Sequence, residues 1–133
     1  DNGVMSDSLG ISLSGLQLNA TRAGVAANNI ANSQSTGPAS DPSRAYQPQQ
    51  VRAVSAGEGG GVRAVVEGTQ PATTPAYAPT DANADEQGMV AMPNVNLEQQ
   101  VIEQMTAVTG YRANAAAIKT LAAMDKALLD IKV

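Results

Sequence analysis

The stretch NLEQQVIEQMTAVTGYRANAAAIKTLAAMDKALLDIKV, residues 96–133, decides the fold. Along it lie Leu97, Val101, Met105, Val108, Tyr111, Ala115, Ile118, Leu121, Met124, Leu128 and Ile131, at intervals of three or four residues with a mean of 3.4. A straight helix repeats every 3.6 residues. A repeat near 3.5 belongs to helices that wind left-handedly around a partner. The run holds no proline and one glycine, Gly110. At about 1.5 Å per residue such a helix is on the order of 50 Å long. A stripe of that length requires a second helix to cover it.

The partner is read at the other end of the chain, in residues 6–34. There Leu9, Leu13, Leu16, Ala20, Ala23, Ala27 and Ile30 follow intervals of 4, 3, 4, 3, 4 and 3, an unbroken heptad seam. This set is expected to face Val101, Met105, Val108, Tyr111, Ala115, Ile118, Leu121 and Leu128 across an antiparallel pair. A second stripe, Ile11, Leu18 and Val25, recurs every seven residues on the opposite side of the first helix. Between Ser8 and Ser40 the only charged residue is Arg22. A helix facing water normally carries more charge. Ile11, Leu18 and Val25 are therefore expected to meet a neighbouring subunit, with Asn28, Asn29 and Asn32 capping the helix end or bridging to the next chain.

Residues 35–95 have a different character, and all seven prolines lie between Pro38 and Pro93. Residues 49–54 and 62–67 are β-prone, and the glycine-rich segment 55–61 suits a loose hairpin turn between them. Three prolines in 69–79 predict extended chain rather than sheet interior. Residues 81–87 read as polar loop and 89–92 as a short strand. Asn96 is placed to cap the C-terminal helix, with Gln99 three residues on. Glu98 and Glu103 sit early in that helix, and Lys119, Lys126 and Lys132 late, which suits its dipole. The expected fold is mainly α: long terminal helices in an antiparallel coiled-coil-like pair, enclosing a small Pro/Gly-rich β-hairpin insert. The units are the N-terminal helix at 6–34, the insert at 35–95 and the C-terminal helix at 96–133.

Composition narrows the function. The 133 residues include three Tyr, no Phe and no Trp, so a core built from them is thin. The net charge is −4 with no basic cluster, which argues against nucleic acid. The absence of Cys and His removes thiolate chemistry, the usual general base and the usual transition-metal ligand. Asp81-Ala82-Asn83-Ala84-Asp85 resembles the start of a calcium loop, but Glu86 and Met92 stand where Gly and a bidentate carboxylate are needed. The Gly57–Gly61 run lacks the Gly-Lys-Ser/Thr ending of a phosphate loop. No catalytic, metal or cofactor site is expected. No apolar run is long enough to span a bilayer, and the first residues lack the pattern of a secretory signal.

Two motifs carry a resemblance. Ala26-Ala27-Asn28-Asn29-Ile30-Ala31-Asn32-Ser33 is similar to the Asn-rich signature near the N-terminus of bacterial flagellar axial proteins. Met92-Pro93-Asn94-Val95-Asn96-Leu97-Glu98 and Tyr111-Arg112-Ala113-Asn114 resemble the C-terminal segment of proximal rod proteins of the FlgC type. Where such proteins commonly continue Thr-Thr-Gly-Tyr, this chain reads Ser35-Thr36-Gly37-Pro38. The resemblance implies a structural subunit of the flagellar basal-body rod. It also implies helical packing through the terminal helices, torque transmission, a helix-lined export channel and type III export without a cleaved signal. Its implied partners are copies of itself, other rod proteins and the export apparatus. A short rod protein of the FlgB type, a needle-type secretion subunit and a small coiled-coil adaptor fit the same pattern.

Overall fold

The computed structural model describes residues 2–131, so the end of the expected C-terminal helix at Lys132 and Val133 lies outside the described residues. Helix α1 spans Asn2–Asn32 and helix α2 Leu97–Ile131. Between them come β1 (Gly37–Pro38), β2 (Gln49–Ser55), β3 (Val62–Gly68), β4 (Thr73–Tyr77) and β5 (Met89–Pro93). Asn96 caps α2 by accepting the Gln99 N–H at 3.0 Å. At the far end of α1, Ser33 Oγ donates to the Ile30 carbonyl at 2.9 Å, and Ser35 Oγ to that of Asn32 at 2.6 Å. Carbonyls that helix termination leaves without partners are thereby satisfied.

The helices pair antiparallel. Asn29 on α1 meets Gln100 on α2, and ten residues further along each helix Asn19 meets Gly110. Four residues beyond that, Gly15 meets Asn114. The last two contacts form a reciprocal clasp. On each helix an Asn donates to the carbonyl of the Gly four residues before it: Asn19 to Gly15 at 3.0 Å and Asn114 to Gly110 at 2.9 Å. Each Asn also lies where a side chain on the opposite Gly would stand. A Cβ on Gly15 would come 2.8 Å from Asn114 Oδ1, and one on Gly110 2.7 Å from Asn19 Nδ2. Ala26 and Ala107, both fully buried, complete a contact built from small and polar residues rather than from leucines. Towards the free ends the helices part around a cleft of about 440 Å³, lined by Met5, Leu9, Leu121 and Leu129 among others.

Two sheets occupy the middle of the chain, where a single hairpin insert was expected. The expected hairpin exists as β2 and β3, antiparallel, with Val51 opposite Val66 and Ser55 opposite Val62. The second sheet has the order β1-β5-β4 and is antiparallel throughout. The description as a helix pair with one small hairpin therefore understates the β structure, which amounts to five strands among the described residues. The reason lies in the proline rule. Pro75 faces Ala91 at a position that makes no ladder bond, because the bonded positions are the even ones: Asn94 N–H donates to Ala72 and Ala78 N–H to Gly88, each at 2.9 Å. The missing donor of Pro75 therefore points off an edge strand, where none is required. β1 is only two residues long, and its Gly37 is forced by contact: a Cβ there would lie 2.7 Å from the backbone of Ala45.

The β2–β3 hairpin lies along α1. At one end Gln49 bonds Asn29; at the other, Val62 N–H donates to Ser14 Oγ at 3.1 Å and Gly60 lies against Ile11. The eighteen helical steps from Ile11 to Asn29 rise about 27 Å. Seven strand residues rise about 23 Å. The hairpin thus matches the length of helix it covers, and α1 is enclosed by α2 on one side and the hairpin on another.

Candidate subunit interface

The Asn-rich motif supplies the junction of all three parts. Asn29 is 1% exposed and its carboxamide uses every bonding site it has. Its Nδ2 donates to the Gln49 carbonyl at 2.8 Å and to Gln100 Oε1 at 3.0 Å. Its Oδ1 accepts the Tyr46 hydroxyl at 2.7 Å and the Gln49 N–H at 3.2 Å. One side chain thereby ties α1 to the start of β2 and to the first turn of α2. Burial raises the Tyr46 hydroxyl pKa above its ordinary value. Asn28 is exposed, and Asn32 Nδ2 donates back to the Asn28 carbonyl at 2.8 Å. Of the three asparagines expected to cap or bridge, Asn29 is turned inward within its own chain.

Burial along α1 cuts across the two stripes anticipated from spacing. Leu18, expected to meet a neighbour, is 6% exposed, whereas on its stripe Ile11 is 44% exposed beside the hairpin turn and Val25 lines a trough together with Val51. The hairpin lies on this side of α1, at Ile11 and Ser14. Leu9 and Leu13, expected in the helix pair, are 40% and 47% exposed. Ala20 is exposed, and Leu16, Ala23, Ala27 and Ile30 are half-buried. On α2, Val108, Ala115, Ile118 and Leu121 are half-buried, whereas Val101, Met105, Tyr111 and Leu128 are exposed, Met105 at 65%. Spacing alone missed Gly15, Asn19, Gly110 and Asn114. The repeated Gly-x-x-x-Asn at 15–19 and 110–114 was the available signal.

Large apolar residues remain exposed along both ends of α2. Leu97, Val101, Ile102, Met105 and Tyr111 are exposed in its first half, and Met124, Leu128 and Ile131 near its end. Among the described residues no group of three or more acidic, His or Cys side chains is placed to hold a metal ion, and no helix is long and apolar enough to cross a membrane.

A helix pair closed by small residues, wearing its large apolar residues outside, is the architecture of a protein that completes its core by association. The class is that of flagellar axial proteins. Residues 86–131, covering β5 and α2, match the family model described as the C-terminal region of flagellar basal-body rod FlgEFG proteins. The flagellar basal-body rod protein FlgC of Escherichia coli O6:H1 is 37% identical over 115 residues, covering 84% of this chain and 85% of the relative. FlgC of Salmonella typhimurium gives the same identity and coverage. FlgC of Yersinia enterocolitica is 36% identical over 110 residues, 80% of this chain and 82% of the relative. The chain belongs to the FlgC family of flagellar basal-body rod proteins. Its function is that of a structural subunit of the rod, and its place is the flagellar basal body.

Proposed function

We propose that this subunit builds the rod by packing its exposed helical surface against copies of itself and other rod proteins. On this reading the terminal helices line the export channel, the assembled helices carry torque, and the chain reaches the rod through the flagellar export apparatus without a cleaved signal. The protein performs no catalysis; its work is association. The observation that carries the reading is the exposed apolar residues of α2, with Met105 65% and Ile102 63% exposed. Large apolar side chains left in solvent in such number mark an interaction surface. The thin core described above also favours unfolding for export. The test is electron microscopy of purified basal bodies from cells carrying a labelled copy. The label is expected in the rod; basal bodies devoid of it overturn the reading.

A further inference from the structure

The β2–β3 hairpin is a two-stranded sheet, so each strand has one edge without a ladder partner. Which groups point off the edge of β2 follows from the bonds around it. Thr69 N–H donates to Pro48 at 2.9 Å and Ala56 N–H to Gly61 at 3.2 Å, so the even positions of β2 pair with β3. Gln49 turns both its N–H and its C=O the other way, onto the Asn29 carboxamide. Strand alternation then turns the N–H and C=O of Val51 and Ala53 away from β3 as well.

These groups face a groove. A trough of about 650 Å³ runs between β2 and α2, with α1 at its base; Val51, Ala53, Arg22, Val25, Ile102 and Thr106 are among its walls. Two features of the trough bear on what fills it. At its Gln49 end the Asn29 amide already occupies the place of a neighbouring strand, donating and accepting as a peptide group does. Along its base lies Arg22, half-buried and with no carboxylate partner among the described residues, whereas Arg52 is paired with Glu67 at 2.8 Å. Glu103 stands on the exposed α2 wall. A half-buried guanidinium without a partner favours an incoming carboxylate.

We propose that β2 receives an extended acidic segment of a neighbouring rod subunit, which adds as a third strand to the Val51–Ala53 edge and pairs a carboxylate with Arg22. Backbone bonds would supply affinity and Arg22 the choice of partner, as in strand addition generally. The proposal rests on the rod reading above.

The test is hydrogen exchange, quenched and read amide by amide, on the full chain free and within purified basal bodies. In the free subunit Val51 and Ala53 should exchange fast, while Arg52 and Val54 are protected. In basal bodies Val51 and Ala53 are expected to slow by about tenfold or more. Equal exchange in both states overturns the proposal and leaves the rod reading standing; a chain absent from basal bodies overturns both. Ala53→Pro is the companion variant, since it removes only the outward N–H and keeps the β2–β3 ladder. It should melt as the native chain does but enter basal bodies at least about tenfold less. Arg22→Gln should behave likewise and Arg22→Lys should largely recover. Normal incorporation of Ala53→Pro overturns the proposal; if that variant fails to fold, the exchange measurement decides alone.

Discussion

Asn29 shows how much one polar side chain can hold in a core with no Phe or Trp. Its four bonds join α1, β2, α2 and Tyr46, and removing them leaves the Gln49 peptide, the Gln100 amide and the Tyr46 hydroxyl without these partners. Asn29→Leu should therefore destabilise by on the order of 3 kcal/mol, and Asn29→Asp by more, since a carboxylate cannot donate to Gln49 or Gln100. Tyr46→Phe should cost about 1 kcal/mol, all read by urea melting. The raised pKa of Tyr46 adds a pH signature. Its contribution is fully present below the ordinary tyrosine value, about 10, and declines as pH rises from there towards the folded value, because the unfolded chain releases that proton first. The native chain should lose stability faster than Tyr46→Phe in that window, and parallel curves would remove Tyr46 from the account. Three glycines give a graded series. Gly24 has nothing within 4 Å of a built Cβ, so Gly24→Ala should stabilise the isolated subunit by up to about 1 kcal/mol. At Gly15 the added carbon meets only the end of the Asn114 side chain, so lost clasp and gained helix propensity should nearly cancel. At Gly37 it meets the Ala45 backbone, and Gly37→Ala should cost about 2 kcal/mol or more. A different rank order in thermal melts would count against these contacts.

At the scale of elements, the existence of both helices and of the β2–β3 hairpin was legible, and the phase of α1 was not. Leu9, Leu13 and Leu16 make one heptad seam and Ile11, Leu18 and Val25 another, while α1 lacks the charged face that orients most helices. Hydrophobic spacing cannot choose between two apolar stripes. The choice is made by Gly15, Asn19, Gly110 and Asn114, which let the helices approach closely, and by the hairpin, which covers the Leu18 side. None of the four scores as hydrophobic, so a search for apolar periodicity passes over them. β4 was legible only as extended chain outside the sheet interior: proline is barred from bonded positions alone, and the register that frees Pro75 on this edge strand is set by β5. The Asn-rich motif was visible, but its inward role depends on Tyr46 and Gln49, twenty residues away or less, and on Gln100, seventy-one away. The burial of Leu18 makes its own prediction. Leu18→Asp should bury an unpaired carboxylate and destabilise by several kcal/mol, enough to unfold a marginal domain. A circular dichroism melt of Leu18→Asp that matches the native chain would restore Leu18 to the outer surface.

For the whole molecule the division of labour between inside and outside follows. Small and polar residues hold the chain's own helices together, and the large apolar residues Leu13 on α1 and Met105 on α2 remain in solvent. In a free subunit, Leu13→Asp or Met105→Asp exchanges an exposed apolar side chain for an exposed charge. Such a change lies within about 0.5 kcal/mol of neutral, so both variants should melt as the native chain does and remain soluble. In the rod the same charge would enter an apolar contact, with a penalty of several kcal/mol at every repeated interface. Cells carrying either variant should therefore make and export the subunit yet build no complete rod and fail to swim. Gln87→Asp, a charge added in the exposed loop before β5, is the control and should leave swimming intact. Paired measurements separate the possibilities. A lowered melt for Leu13→Asp would assign Leu13 to the helix pair. Native melting with normal swimming would show that this surface is not where neighbouring subunits meet, and assembly would have to rest on the sheets instead.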